Sequence, residues 1–319
     1  MPRSRFLIIA LLLVAASCRG ESGSPQVSAR WAAGPDIGNL DLLGIDFIDD
    51  RLGWAVGDIE PGGSTSGAIH QTSDGGRTWA KVASTSEIFE AVHFVSPTRG
   101  WVAGYGGRIQ RTDDGGRTWT GQRVEREGEV LNAIFFLDNQ RGWVVGGSGV
   151  IFRTANGGET WEVLPTGRLE DLWDVKFSSG ERGWIVGEEG LILATADGGR
   201  SWEVQSSGTQ NALFGLAVTT QGTVVAVGDK GTILRSEDGK TWAPADSRTG
   251  AALNAVAAAG KDVFWAVGAK GATAGSSDGG RTWNSISPVS RRDLISIDLT
   301  SPSHGVAVGS RGSMQRLEP

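Results

Sequence analysis

Carboxylates are the groups with the most chemical potential in this 319-residue chain, and they fall into two sets. The first recurs: Asp74, Asp114, Asp197, Asp238 and Asp278, with Asn156 in the third place, each sit in a stretch close to Ser/Thr-x-Asp-Gly-Gly-x-Thr-Trp. The second set is scattered: Asp41, Glu90, Asp171, Asp174 and Asp293. Two carboxylates converging on one bond would suit hydrolysis of a glycosidic link. Other reactive types are sparse. His70, His93 and His304 are far apart with no i, i+4 pairing, and Cys18 is the only cysteine, so no zinc constellation is expected. The Gly-rich stretches match neither a nucleophile elbow nor a phosphate loop, and no cofactor is expected.

The spacing of the first set explains what positions it. Six copies of the stretch occupy 72–79, 112–119, 154–161, 195–202, 236–242 and 276–283, with tryptophans 40, 42, 41, 40 and 41 residues apart. A period just above forty with turn-rich, β-rich content is that of a propeller blade of four strands. A second motif, Val-Gly-x-x-Gly or a close variant, counts independently: Gly57, Gly104, Gly146, Gly187, Gly228, Gly268 and Gly309 begin seven copies. Around these motifs each unit holds short apolar runs bounded by Gly, Asp or Asn, the punctuation of strands. The sequence therefore predicts an all-β, seven-bladed propeller over residues 27–319. The chain stops one strand short of completing the last blade, and 27–31, ending in Trp31, reads as the missing outer strand. A ring closed in this way leaves no open sheet edge between its ends.

The recurring stretch matches the Asp box of bacterial sialidases and other propellers. Its residue types have a local reason: the hairpin needs glycine where φ is positive, and a short acidic side chain accepts N–H groups across the turn. The five acids and the asparagine are thus expected to shape hairpins, with the indole that follows lying between blades. The fifth copy, Asp238-Gly-Lys-Thr-Trp242, is one residue shorter and should turn more tightly.

Residues 1–17 read as a secretory leader: Arg3 and Arg5, then an apolar core from Phe6 to Val14, then Ala15-Ala16-Ser17. The apolar run is too short to span a bilayer. Cleavage before Cys18 resembles a bacterial lipoprotein signal, which makes Cys18 the lipidation site and 18–26 a flexible tether. The expected location is extracytoplasmic: periplasmic, lumenal or cell-surface facing, with a lipid anchor in the membrane. Formal charge is −6, or −8 once Arg3 and Arg5 are removed, and with no basic run nucleic acid is not an expected partner.

Residues that break the repeat point to a site better than those that obey it. Twelve of the thirteen tryptophans belong to the repeat; Trp173 does not. It lies in an innermost strand, where its counterparts are Leu43, Glu90, Asn132, Phe214, Asn254 and Ile295. Trp173, Asp174, Glu90, Asn132 and Asn254, with Tyr105 nearby, form a candidate channel-mouth site for an extended peptide or a sugar. Loops entering the innermost strands add 122–127, Arg291-Arg292 and the 58–66 insert. A second candidate is basic: Arg51, Arg99, Arg141 and Arg182 of the Arg-Gly-Trp turns, in the first four units alone. The enzymatic alternative is a sialidase-like glycosidase or a carbohydrate-binding propeller. Tyr105, the single tyrosine, falls early, whereas the sialidase nucleophile lies late in its chain, and an Arg-Ile-Pro motif is absent.

Together the Arg-Gly-Trp-Val-Val-Gly146 and Thr-x-Asp-Gly-Gly-Arg-Thr-Trp units behind a lipoprotein-like leader resemble the photosystem II assembly and stability factor family. The resemblance implies a seven-bladed propeller without catalytic activity, a monomer that binds protein or peptide, such as subunits of a membrane complex. The four turn arginines are the positions it maps to that family's exposed arginine surface.

Overall fold

The computed structural model describes residues 29–58, 66–122, 124 and 128–319. The leader, Cys18, the tether and most of the 58–66 and 122–127 loops lie outside these residues. The described residues form seven four-stranded antiparallel sheets. Blades 1 to 6 span 41–85, 89–122, 131–164, 172–205, 213–246 and 253–286. Blade 7 joins three strands of 294–318 to Arg30–Ala33, paired with Trp31 opposite Leu317 and Ala33 opposite Gln315. The ring therefore closes as expected, with one strand from each end of the chain. The closing strand begins at Arg30 and runs past Trp31, because Trp31 stands at the head of the outer strand, as the box tryptophans do elsewhere.

Burial follows from the position of each strand in its blade. The second strands, such as Gly142–Gly146 and Val224–Gly228, are buried along their whole length because both faces meet neighbouring blades. Outer strands such as Glu203–Gln205 are short and mostly exposed. Apolar contact between blades is carried by two indoles and a phenylalanine. Trp54, Trp101 and Trp143, on second strands, stack face to face on Phe94, Phe136 and Phe177 of the next blade at 3.5, 3.5 and 3.8 Å. Each of these rings also takes the edge of its own blade's box tryptophan: Trp119, Trp161 or Trp202. The box indoles thus lie in the clusters between blades, but the second-strand indoles are buried more deeply.

The glycine of each Arg-Gly-Trp turn follows from that packing. A Cβ on Gly53, Gly100, Gly142 or Gly183 would lie within 2.6 Å of the Phe47, Phe94, Phe136 or Phe177 ring. In blades 5 and 6 the ring position holds Val218 and Ala258, and the glycine position then holds Val224 and Phe264. The pair exchanges volume as a unit. Gly142→Ala should accordingly destabilise the fold by about 2 kcal/mol. In a double-mutant cycle with Phe136→Val the two changes should couple favourably by about 1 kcal/mol. Denaturant midpoints of the four proteins measure this, and additive effects would contradict it.

Candidate functional site: the central channel and its two faces

The loops divide between two faces. Turns between second and third strands meet the loops that enter inner strands: the Tyr105 amide donates to Ile88 O at 3.0 Å and Gly147 N to Val130 O at 2.9 Å. Box turns meet the turns between first and second strands on the opposite face, as in Gly115 N to Thr98 O and Gly157 N to Gln140 O. We call these the loop face and the box face.

On the box face every box is a closed hydrogen-bonded unit. Thr112 Oγ1 donates to Asp114 Oδ1 at 2.9 Å and accepts from the Gly116 amide at 2.9 Å. Asp114 then accepts the Thr118 amide at 2.9 Å and its hydroxyl at 2.6 Å. The Thr118 hydroxyl and amide are the main groups holding the Asp114 carboxyl down to about 2, aided by Thr112 and the Arg117 amide. Asp74, Asp197 and Asp278 make the same set. Asn156 substitutes for them by accepting the Thr160 amide at 3.0 Å and donating to its hydroxyl at 2.9 Å. In the fifth box the Gly239 amide reaches Ser236 three residues back instead of four, the tighter turn that the shorter sequence implies.

The four turn arginines sit on this face and are held by neighbours. Arg99 lies 5.5 Å over the Trp101 ring and 3.4 Å from Asp113. Arg141 binds Asp138 at 2.8 and 2.7 Å through Nε and Nη2. Arg51 donates to Ser73 O at 3.3 Å, and Arg182 reaches across to Asp238 O of the next blade at 2.7 Å. Two of the four, Arg99 and Arg141, thus have carboxylate partners.

The channel, about 320 Å³ in volume, is lined by two rings of side chains. The ring nearer the loop face holds Leu43, Glu90, Asn132, Trp173, Phe214, Asn254 and Ile295, so the structure brings the channel-mouth candidates together. Asn132 and Asn254 donate to Leu172 O and Leu294 O of the next inner strand at 2.9 and 2.7 Å. Trp173 meets Phe214 edge to face at 5.9 Å, and its buried Nε1 has no hydrogen-bond partner among the described residues. Burial raises the Glu90 carboxyl, partly countered by a hydrogen bond from the Tyr105 hydroxyl. Tyr105 itself is about half exposed on the loop face. Asp174, below Trp173, accepts the Leu216 amide at 2.9 Å and lies 3.7 Å from Lys176.

The second ring, nearer the box face, carries Asp46, His93, Lys176 and Asp298, which the sequence reading did not single out. Their signal was present: each lies four residues beyond the buried leucine or phenylalanine that opens its inner strand. Asp298 accepts the Phe47 amide and Asp46 the Phe94 amide, both at 2.7 Å; His93 pairs with Asp46 at 3.4 Å and with Phe136 O at 2.9 Å. Burial, then the Asp46 charge, push the Asp298 carboxyl up to about 7. Burial works against the Lys176 ammonium, but Asp174, Asp46 and Asp298 together raise its pKa above the usual lysine value. Shifted carboxyls of this kind also occur in acid–base pairs. Here one oxygen of Asp298 and one of Asp174 accept a backbone amide of the following blade, which is a structural use. The remaining acids behave alike: Asp171, Asp293 and Asp41 accept the Ser148, Lys270 and Arg311 amides at 2.8, 2.7 and 2.7 Å. Among the described residues no three of His, Cys, Asp or Glu come together as metal ligands.

A carboxyl whose pKa is higher in the folded than in the unfolded state binds an extra proton on folding. Between the ordinary aspartate range and about 7, the raised Asp298 should therefore make stability fall as pH rises. The slope from one such proton is at most about 1.4 kcal/mol per pH unit. Asp298→Asn should keep the bond to the Phe47 amide and flatten denaturation midpoints between pH 5 and 7. An unchanged slope in that variant would rule out Asp298 as its source.

Fold and site define a closed seven-bladed propeller of box-type blades with a polar central channel. The sequence profile of the Photosynthesis system II assembly factor YCF48 family matches residues 82–169 and 165–243, which together exceed half of the chain. The chain belongs to that family. No curated protein matches it in sequence. Among solved structures, YCF48 bound to D1 peptide is 24% identical with a TM-score of 0.73, covering 91% of this chain and 97% of that one. YCF48 from Cyanidioschyzon merolae is 22% identical with a TM-score of 0.71, covering 91% and 98%. A GH74 xyloglucanase from Xanthomonas campestris is 12% identical with a TM-score of 0.67, covering 89% of this chain and 52% of that one. At these identities the likenesses speak to the fold.

Proposed function

We propose that this protein is a non-catalytic propeller, tethered to a membrane through Cys18 on the extracytoplasmic side, that binds a protein or peptide partner at the loop face. A subunit of a membrane complex is the class of partner it suits. The observation that carries the reading is the division of labour in the channel. Of the acids that could have done chemistry, all but Glu90 accept a backbone amide from an adjacent blade: Asp174, Asp46, Asp298, Asp41, Asp171 and Asp293. The Trp173–Phe214 pair, by contrast, together with Glu90 and Tyr105, presents a mixed apolar and polar rim to whatever covers the mouth. Exposed Tyr105 and Leu169 extend that rim outward on the same face. A family relative has been solved with a D1 peptide bound, which supports an extended polypeptide as the class of ligand. The leader and the single cysteine support the tether.

A photo-crosslinking residue in place of Leu169 should capture a polypeptide from detergent-solubilised membranes of the native host, and one in place of Arg77 on the box face should not. Metabolic labelling with a palmitate analogue should tag the protein and be abolished by Cys18→Ser. Turnover of a glycoside lost on Asp174→Ala would replace this reading with the hydrolase.

A further inference from the structure

The turn arginines of the box face are used internally, whereas over blades 6 and 7 of the loop face only one of four cations, Arg292, has a side-chain partner among the described residues, the Arg311 carbonyl. Lys270 lies at the tip of the turn between the second and third strands of blade 6. Arg311 holds the equivalent place in blade 7, and Arg291 and Arg292 lie in the loop that enters blade 7. Contacts link the segments carrying Lys270, Arg292 and Arg311, and Arg291 adjoins Arg292 in sequence. Arg292 Nη1 donates to Arg311 O at 2.6 Å, and the Lys270 amide donates to Asp293, next to Arg292, at 2.7 Å. All four side chains are exposed, and none has a carboxylate ion-pair partner among the described residues.

The backbone at these tips makes the residue choice informative. Lys270 and Arg311 have φ of 56° and 53°, the left-handed region, where the equivalent residue of blade 2 is Gly106. Glycine or asparagine is preferred there, and another residue costs on the order of 1 kcal/mol. Lys230 of blade 5 and Arg248 beyond it share this conformation, at 54° and 59°. Thus, among the described residues, four of the six non-glycine residues at positive φ are cations, all on blades 5 to 7. Asp229 and Asp246 sit beside Lys230 and Arg248 at 3.9 and 3.1 Å, so the unneutralised charge is concentrated at the seam of blades 6 and 7. Asp41 and Asp293 beside them accept the Arg311 and Lys270 amides. A chain of net charge −6 therefore shows a basic patch where its fold has no need of one.

We propose that the seam between blades 6 and 7 on the loop face docks an acidic segment of a protein partner through Lys270, Arg291, Arg292 and Arg311. This deepens the functional reading and rests on its assignment of the loop face. Guanidinium groups favour carboxylates through paired hydrogen bonds. Exposed Val289 beside them offers an apolar contact. An anionic membrane fits less well. The chain enters blade 7 at Arg30, which pairs with Glu318 at the box-face end of the sheet, so a leash preceding it starts from the opposite face.

The test uses the full chain and two labelled peptides of equal length, one rich in glutamate and one with glutamine in its place. Vesicles of phosphatidylcholine with phosphatidylglycerol form the third arm. The glutamate peptide should bind with an affinity that falls with added salt. The combined variant Lys270→Asn, Arg291→Ser, Arg292→Ser and Arg311→Asn should weaken it at least about tenfold. Asparagine suits the left-handed tips, so the variant's thermal midpoint should not fall. Arg77→Ser with Arg117→Ser on the box face serves as control and should leave binding unchanged. Equal affinity in wild type and combined variant, or binding of the vesicles but not the peptide, would overturn the proposal. If both peptides bind equally the charge assignment fails while the loop face remains a protein site; if neither binds and crosslinking at Leu169 also captures nothing, both readings fail.

Discussion

A four-stranded blade cannot bury both of its faces alone, and the rest of this structure depends on how each blade borrows the next. At the seams of blades 1 to 4 the second-strand indole is the means. It crosses to the following blade, lies flat on the phenylalanine that ends that blade's inner strand, and is wholly or almost wholly buried at Trp54, Trp101 and Trp143. An aromatic side chain of this size removes roughly 200 Å² from water. At about 25 cal/mol per Å² that is about 5 kcal/mol, with about 1 kcal/mol more from ring geometry. A turn hydrogen bond of the box contributes about 1 kcal/mol. The indole therefore dominates cohesion at these seams, and the box sets the shape of the hairpin the indole meets.

The polar half of the same seam is less uniform in sequence than in structure. The carbonyl of the first box glycine is captured by the preceding blade in five places. Gly115 receives Trp54 and Gln71, Gly157 receives Trp101 and Gln122, and Gly239 receives Trp184 and Gln205. Gly198 receives Arg153 and Gly279 receives Arg235. Donors from different strands thus satisfy one acceptor. Val225 replaces the indole in blade 5, and Arg235 on the adjacent strand then supplies the missing N–H. A buried acceptor must be paired, but which side chain pairs it is free to vary.

This freedom explains how much of the molecule was legible in the residues. Blade number, strand order and ring closure were legible because they rest on motifs that recur with few exceptions: glycine under a ring in the first four blades, glycine at positive φ in the box turns, a short polar side chain bridging each hairpin. The channel was only half legible. Trp173 stood out because it broke a count of tryptophans. Asp46, Lys176 and Asp298 did not, because a single charged residue in an inner strand looks like any exposed strand position. Their meaning appears only when blades distant in sequence face each other across the lumen, where Lys176 of blade 4 senses carboxylates from blades 1 and 7. The turn arginines recur regularly in sequence but differ in their contacts. Arg141 and Arg182 are each tied to a different local acceptor.

The two faces differ because the repeat constrains them unequally. On the box face each turn must close its own hairpin and meet the preceding blade, so its acids, amides and many of its cations are committed before any ligand arrives. Turns on the loop face need only a left-handed residue and one amide capped from the next blade, as Asp171 does for Ser148 and Asp41 for Arg311. Those requirements fall on the backbone, which leaves the side chains at the tips free to differ: Gly106, Ser148, Glu189, Lys230, Lys270 and Arg311 occupy one structural position. Side chains that the fold does not dictate are the ones that recognition can shape. By this argument, specificity within a propeller of this type resides in the loop-face tips and the channel rim, and the boxes serve to hold them in place.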